Sequence, residues 1–211
     1  MAYSFAINSN VLPITFVLAG ILAALLSKTI SGQSIANIVT PEFFDGIIGQ
    51  ADVGCEGKGF YSRDRFIVAT KSYPQFGSEG SEDVIKREIA ALFAHFTHET
   101  GRKAYFGRGP IQLAFSFNYG IAGKSIGLDL LRSPETVGND PVVAFKTGLW
   151  FWMNTCHSLV TSGKGFGGTI RAINGFLECD GRNPATVRAR VGYYIDYCNK
   201  LGVSPGDNLY C

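Results

Sequence analysis

Apolar residues recur every three or four positions along most of the chain, which is the spacing of amphipathic helices. No stretch shows the sustained period of two that is typical of half-buried strands. The clearest helix follows Ser81, a capping residue, and is predicted to continue to about Glu99 before Gly101 ends it. Its apolar face comprises Ile85, Ile89, Leu92, Phe93 and Phe96. The pattern therefore predicts a mainly helical protein.

Other helices are predicted where a capping side chain precedes a proline, because proline suits the first position of a helix. Such starts occur at Thr40-Pro41, Asp140-Pro141 and Asn183-Pro184. The helix after Asp140 is apolar almost all round and is therefore predicted to lie in the centre of the fold. The last helix is predicted to continue to Leu201, and weaker patterns predict helices over residues 62–73 and 169–179.

Residues 11–26 form an apolar run without any charged side chain. A membrane-spanning helix requires about 20 apolar residues, so this run is short for a span. Small residues and a polar segment follow it up to Gln33, which is the order found in a secretory signal peptide. We therefore predict a signal peptide over residues 1–33 and a secreted domain over residues 34–211, with an uncleaved anchor helix as the alternative.

Composition and charge narrow the class of protein. Hydrophobic residues make up 46% of the 211 residues and charged residues 17%, a globular mixture that fits one domain and a monomer. The formal net charge is only +2, which argues against a nucleic-acid partner or a polybasic membrane patch. No apolar run after Gln33 is long enough to span a membrane. The five cysteines include no CxxC pair of the kind that holds structural zinc.

An acid stands at the C-terminal end of the helix predicted after Ser81, in the segment HFTHETG over residues 95–101. The helix dipole disfavours negative charge at this end, so Glu99 is suited to hold and donate a proton as a general acid. A solvated glutamate at a helix end is the equally weighted alternative. His95, His98 and Glu99 also have the spacing of a helical metal site, but the HExxH order is absent and we predict no metal.

A second candidate site begins at the segment GRGPIQL, residues 107–113, and continues to Gly120. Its glycines permit close approach of the backbone to another segment or to a ligand. The amides of Gln112 and Asn118 suit the hydroxyl and N-acetyl groups of sugars. A tight turn in which the same amides cap the backbone explains the pattern equally well, and both interpretations stay open at this point.

Both motifs belong to a set of segments that resembles the plant chitinases of glycoside hydrolase family 19, class IV type. The segments are ANIVTPEFFDGII (36–48), KREIAALFAHFTHETG (86–101), GRGPIQL (107–113), FNYG (117–120), KSIGLDLLRSPETV (124–137), DPVVAFKTGLWFWMN (140–154), TIRAINGFLEC (169–179) and NPATVRARVGYY (183–194). They cover nearly all of the chain after residue 35. The resemblance implies an all-α, lysozyme-like single domain with a long substrate cleft.

The same resemblance implies an endochitinase-type hydrolase of the apoplast or vacuole, with a role in chitin catabolism and defence. It would act on chitin or chito-oligosaccharides, inverting the hydrolysed β-1,4 linkage of N-acetylglucosamine, without a cofactor. Glu99 matches the family's general acid. The implied substrate contacts are His98, Gln112, Asn118, Tyr119, Lys146, Asn174 and Arg190. Family members often carry a small Cys-rich chitin-binding domain, which we do not expect in this chain.

The sequence departs from the family where the attacking water is held. The family's general base is a glutamate on a long loop between HETG and GRGPIQL, but only residues 102–106 lie there in this chain. Ala114 stands where the family has a hydroxyl residue that helps to hold the water. Losing a general base costs about 10²- to 10⁴-fold in rate, so we expect weak or absent turnover. Glu178, which the family places near the acid, is the candidate substitute base. The alternative function is a non-catalytic protein that binds chito-oligosaccharides.

The resemblance also implies how the cysteines pair. Cys179 and Cys211 correspond to a disulfide of the family, and secretion permits such a bond. The family's partner of Cys55 lies on the missing loop, and the cysteine at position 198 is usually unpaired. Whether Cys55 pairs with Cys156 stays open.

Overall fold

Five of the described helices begin at capping residues that the sequence marks. In the computed structural model, which describes residues 34–51, 53–55, 57–100 and 107–211, five side chains accept hydrogen bonds from backbone N–H groups two or three residues ahead. They are Thr40, Ser62, Ser81, Asp140 and Asn183. The predicted starts are thereby confirmed. The predicted signal peptide, residues 1–33, lies outside the described residues.

The described residues form a helical architecture, which confirms the all-α class. The helices are α1 (Ser34–Ile38), α2 (Pro41–Ile48), α3 (Gly57–Phe60), α4 (Arg63–Thr70), α5 (Glu82–Thr100), α6 (Ser116–Ile126), α7 (Thr136–Asn139), α8 (Pro141–Thr155), α9 (His157–Thr161), α10 (Gly165–Glu178) and α11 (Pro184–Lys200). These residues contain no strand, and Arg108 and Leu113 form an isolated antiparallel bridge. Within the same residues, no helix combines the length and the apolar character needed to cross a bilayer.

Three long helices build the core. α5 packs along α11, and α8 packs against α4 and lies at the centre, as its apolar sequence predicts. The side chains of Leu92 on α5, Trp152 on α8 and Tyr197 on α11 are fully buried. A smaller apolar cluster, which includes Tyr119 and Val137, joins α6, α7 and α8. The two long helices α5 and α11 thus hold their polar residues at fixed positions relative to each other.

Among the described residues, one predicted helix has a different start, and five helices were not predicted: α1, α3, α6, α7 and α9. α10 begins at Gly165 rather than at residue 169, because the glycines that resemble a loop make room for the C-terminal backbone. A Cβ atom on Gly167 would lie 2.0 Å from the carbonyl oxygen of Tyr210. Of the unpredicted helices, α6 has no capping side chain at its start, and two of its apolar residues, Phe117 and Ile121, face solvent instead of the core.

One disulfide links the end of α10 to the C-terminus. Cys179 and Cys211 are bonded, with their Cα atoms 5.1 Å apart, which confirms the pairing implied by the family resemblance. Cys55 is an exposed thiol, whereas Cys156 and Cys198 are buried thiols, so Cys55 and Cys156 do not pair. Burial raises the pKa of Cys198 to about 11 and that of Cys156 further. Both buried thiols are therefore uncharged at neutral pH and poorly reactive.

A buried carboxylate ties α5 to the region of α8 and α9. Glu88 is fully buried and accepts hydrogen bonds from the Trp152 indole at 2.8 Å, the Gly77 N–H at 3.1 Å and Nδ1 of His157 at 2.6 Å. Nε2 of His157 lies 3.2 Å from a carboxylate oxygen of Glu79. The hydrogen bond to Glu88 raises the pKa of His157, although burial opposes this effect. The charged form of His157 is thus stabilised by folding.

We expect the stability that His157 contributes to decline as the pH rises. A histidine whose pKa is higher in the folded state contributes fully below its unfolded value, near 6.5, and loses this contribution as the pH rises through the folded value. His157→Gln should therefore lower the free energy of unfolding by about 3 kcal/mol at pH 5.5 and by less at pH 8.5, because Glu88 loses a cationic partner. Urea unfolding at both pH values measures the two differences, and equal losses would contradict this assignment.

Candidate active site

The glutamate of the first motif lies in the last turn of α5, beside a buried arginine. Arg190, on α11, has only 1% of its side chain exposed, whereas the Glu99 side chain is 22% exposed. The Nη2 group of Arg190 donates to Oε1 of Glu99 at 2.5 Å and to Oε1 of Glu178 at 2.7 Å. Its Nε group donates to Oε2 of Glu178 at 2.8 Å. One guanidinium therefore holds two carboxylates from two different helices.

The second carboxylate of this cluster is almost fully enclosed. Glu178 lies at the end of α10, and Asn174 donates its amide to Oε1 of Glu178 at 2.8 Å. Asn174 has non-helical backbone angles, φ −147° and ψ 31°, where α10 kinks. Burial opposes ionisation of Glu178, but hydrogen bonds from Arg190 and Asn174 outweigh it and lower its pKa. Glu178 is therefore an ionised partner of Arg190.

This geometry disfavours Glu178 as a substitute base. Its Oε1 atom and Oε1 of Glu99 contact the same nitrogen of Arg190, at 2.7 and 2.5 Å. An inverting glycosidase instead separates its two carboxyl groups by about 6.5–9.5 Å to leave room for a water. Both oxygens of Glu178 already accept hydrogen bonds, and a lowered pKa makes the carboxylate a weaker proton acceptor.

The electrostatics at the end of α5 differ from the sequence expectation. The helix dipole disfavours a negative charge at Glu99, and this was the basis for its assignment as a proton donor. The Arg190 guanidinium, 2.5 Å away, acts in the opposite direction because a positive charge stabilises a carboxylate.

The amides of the second motif bond to their own backbone. The Gln112 amide donates to the Gly109 carbonyl at 3.1 Å, and Gln112 has a positive φ of 54°. The Asn118 amide donates to the Ala114 carbonyl at 3.0 Å, within the first turn of α6. The structure therefore shows the interpretation as a tight turn with capping amides.

The other implied substrate contacts are only partly available to a ligand. His98 is buried on α5, and Lys146 is half-buried on α8. Tyr119 is also buried, and its hydroxyl accepts a hydrogen bond from Arg108 at 3.1 Å. The structure thus brings Glu99, Arg190, Glu178 and Asn174 into one cluster, and it gives Tyr119 a packing role.

Two residues of this region, Thr169 and His95, have roles that their sequence positions do not predict. His95, considered from the sequence only as a metal ligand, has one ring nitrogen on Arg190 and the other on the hydroxyl of Thr169. Thr169 carries no sequence signal, because it is 74 positions from His95 and belongs to no recognisable motif with it. Among the described residues, no group of three or more His, Cys, Asp or Glu side chains is placed to hold a metal ion.

The chain is similar to known proteins over most of its length. The family model described as chitinase class I, glycoside hydrolase family 19, matches residues 38–104 and 100–211. Endochitinase EP3 of Arabidopsis thaliana is 53% identical over 208 residues, which cover 86% of this chain and 76% of the relative. Chitinase 4 of Oryza sativa subsp. japonica is 50% identical over 208 residues, which cover 86% of this chain and 72% of the relative.

A solved structure of the same family has a similar fold. The crystal structure of a family GH19, class IV chitinase from Zea mays matches with a TM-score of 0.78 and 49% identity, covering 83% of this chain and 98% of that chain. The chain therefore belongs to glycoside hydrolase family 19, the chitinase family, and has the lysozyme-like helical fold of its members.

Proposed function

We propose that this protein is an endochitinase-type hydrolase that acts on β-1,4-linked N-acetylglucosamine polymers, with Glu99 as the proton donor to the leaving oxygen. The observation that carries the proposal is the cluster of Glu99, Arg190 and Glu178 at the end of α5. It places a partly exposed carboxyl group beside an enclosed ion pair. Such an arrangement is suited to a residue that must exchange protons with a substrate.

The hydrogen bonds of the cluster distinguish the two carboxyl groups. Two carboxyl groups share one guanidinium, so binding one proton leaves the three side chains neutral as a set. Glu178 accepts two hydrogen bonds from Arg190 and one from Asn174, and its pKa is lowered. Glu99 accepts one hydrogen bond from Arg190 and is the more exposed of the two carboxyl groups, so it is the one that a substrate can reach. Arg190 and Glu178 in this way support the acid.

We further propose that turnover is slow, because the sequence next to the acid has no counterpart of the family's general base. The connection between Glu99 and the GRGPIQL motif contains no carboxylate between residues 101 and 106, and Ala114 follows the motif. Glu178 is engaged by Arg190 and Asn174. The same observations favour a second candidate function, a chitinase-like protein that binds chito-oligosaccharides without cleaving them. Hydrolysis of the N-acetylglucosamine hexamer, followed by chromatography, separates the two functions.

Under both functions, we expect soluble chito-oligosaccharides to bind in the cleft. Gln112, Asn118 and Asn174 are the amides that we assign to sugar groups, and the first two would exchange their backbone bonds for bonds to the ligand. Asn118→Ala should weaken binding of the hexamer by about 1–3 kcal/mol, the loss expected when a polar group of the sugar is left without its partner. Isothermal titration calorimetry measures this difference.

A matched control is available on α8. The Asn154 amide donates to the carbonyl four residues earlier, at 2.7 Å, as the Asn118 amide does at 3.0 Å. Asn154→Ala should therefore reproduce any effect of losing the helical bond while leaving the affinity for the hexamer unchanged. A wild-type protein that shows neither heat of binding nor thermal stabilisation at millimolar hexamer would contradict both functions.

We also propose that the protein is secreted after cleavage near residue 33. The apolar run over residues 11–26 and the disulfide between Cys179 and Cys211 support this destination. N-terminal sequencing of the protein recovered from the medium of expressing plant cells tests it. Retention of residues 11–26 in the recovered protein would contradict cleavage.

A further inference from the structure

We propose that His95 and Thr169 are positioning residues for the acid, because together they fix the orientation in which Arg190 contacts Glu99. This inference rests on the proposed role of Glu99 as the proton donor. Neither residue reaches solvent, since both are fully buried. They would act on the reaction only through Arg190.

The hydrogen bonds that link Arg190, His95 and Thr169 can each have only one direction, because the donors and acceptors of these groups are known. Arg190 has only donors, so Nδ1 of His95, 3.1 Å from Nη1, must be the acceptor. The proton of the neutral imidazole is then on Nε2, which donates to Oγ1 of Thr169 at 2.9 Å. The Thr169 hydroxyl in turn donates to the Phe166 carbonyl at 2.7 Å. A backbone group of α10 thus defines the tautomer of a histidine on α5.

Aromatic stacking holds the His95 ring in the orientation in which it forms both of these hydrogen bonds. The His95 ring stacks on Phe166 with a centroid distance of 4.8 Å, and Phe166 stacks on Tyr194 at 4.2 Å. Burial, together with the positive charges of Arg190 and His98, lowers the pKa of His95 well below its usual value. His95 therefore stays neutral and keeps Nδ1 available as an acceptor.

The guanidinium of Arg190 needs an anchor on each side to point at Glu99. Glu178 binds the Nε and Nη2 side, and His95 binds the Nη1 side. With the plane fixed at both ends, the second hydrogen of Nη2 is directed at Glu99. Without the acceptor on His95, a buried donor of Arg190 would lack this partner, and the guanidinium would tilt to find another. The contact with Glu99 would then lengthen.

The decisive comparison uses two buried threonines. Thr147 is fully buried like Thr169, and its hydroxyl also donates to the carbonyl three residues earlier, at 2.8 Å from the Ala144 oxygen. Among the described residues, however, no histidine forms a hydrogen bond with the Thr147 hydroxyl. Thr169→Val should disturb His95 and Arg190, whereas Thr147→Val reproduces the loss of a buried hydroxyl alone. A role of Thr169 in stability only would make the two variants alike.

Nuclear magnetic resonance gives readouts that need no turnover. In ¹⁵N-labelled wild-type protein, which contains three histidines, His95 should remain neutral with its proton on Nε2 when the pH falls below the usual histidine pKa near 6.5. In protein labelled at the glutamate carboxyl carbons, with Glu99 assigned by Glu99→Gln, Thr169→Val should shift the carboxyl resonance of Glu99 at neutral pH, because the contact with Arg190 lengthens. Thr147→Val should leave that resonance at its wild-type position.

A second pair of variants tests the histidine itself. His95→Phe keeps a ring against Phe166 but removes both nitrogens, whereas His95→Gln supplies one acceptor and one donor. We expect the Glu99 carboxyl resonance to shift in His95→Phe and to return to its wild-type position in His95→Gln. If the protein hydrolyses the hexamer, its pH–rate profile should shift in the same order.

The outcomes separate this inference from the proposed function. A wild-type protein without turnover contradicts the hydrolase function but leaves the resonance measurements interpretable. A Glu99 carboxyl resonance that is the same in folded Thr169→Val and Thr147→Val would overturn the positioning role, as would a His95 that titrates near its usual pKa or carries its proton on Nδ1.

Discussion

Glu99→Gln is expected to abolish all hydrolysis of the N-acetylglucosamine hexamer, including the slow turnover that we propose for the wild type. Glutamine fits the same space and can still accept a hydrogen bond from Arg190, but it has no carboxylic proton to give to the leaving oxygen. The exposed Glu135 provides a matched control, because Glu135→Gln makes the same chemical change away from the cluster. That variant should retain the wild-type rate.

The wild-type rate should itself be at least about 100-fold below that of a family member with both carboxylates, because a missing general base costs about 10²- to 10⁴-fold. Insertion of the family's loop with its glutamate, combined with Ala114→Ser, should recover rate, since both missing parts of the water site return. Glu178→Gln tests whether Glu178 acts as the base instead. If Glu178 activates the water, this variant loses hydrolysis while keeping hexamer affinity. Ordinary chitinase rates in the unmodified protein would contradict the argument.

Arg190→Met is expected to produce the largest loss of stability of any single substitution in the site. It removes a buried cation and leaves Glu99 and Glu178 facing each other, and breaking a buried ion pair in this way costs about 3–5 kcal/mol. Arg188→Met is the control, because Arg188 lies on the same helix and is exposed. We expect that control to change the free energy of unfolding by less than about 0.5 kcal/mol.

The loss in Arg190→Met should depend on pH with a defined sign. The pKa of Glu178 is lowered in the folded state, so its ion pair contributes fully above the unfolded value, near 4.3, and the contribution is lost as the pH falls through the folded value. The difference between wild type and variant should therefore be larger at pH 7 than at pH 3.5. Urea unfolding at both values measures it.

A double variant provides an internal check on this prediction. Replacing both Arg190 and Glu178 by methionine should lower the free energy of unfolding by less than the sum of the two single replacements. Each single variant leaves the other charge buried without its partner, whereas the double variant does not. Additive losses would show that the two side chains do not stabilise each other.

The local features of the fold follow from short stretches of sequence. Thr40, Asp140 and Asn183 cap helices because a capping side chain needs only the N–H groups two or three residues ahead. The central position of α8 follows from its nearly continuous apolar surface. Where glycines serve a distant segment, as Gly167 does for the backbone near Tyr210, the local pattern gave the wrong start of α10.

For the site, the sequence by itself determined which helix end carries the acid and to which family the motifs belong. It did not determine the electrostatics of that acid, because Arg190 lies 91 positions from Glu99 and reaches it only through the packing of α11 on α5. Tertiary packing also places Glu178 against Arg190. It makes His95 a hydrogen-bond acceptor for Arg190, oriented by Thr169, rather than a metal ligand. Charges and hydrogen bonds act over a few ångströms in space whatever the separation along the chain, so only the tertiary structure could decide them.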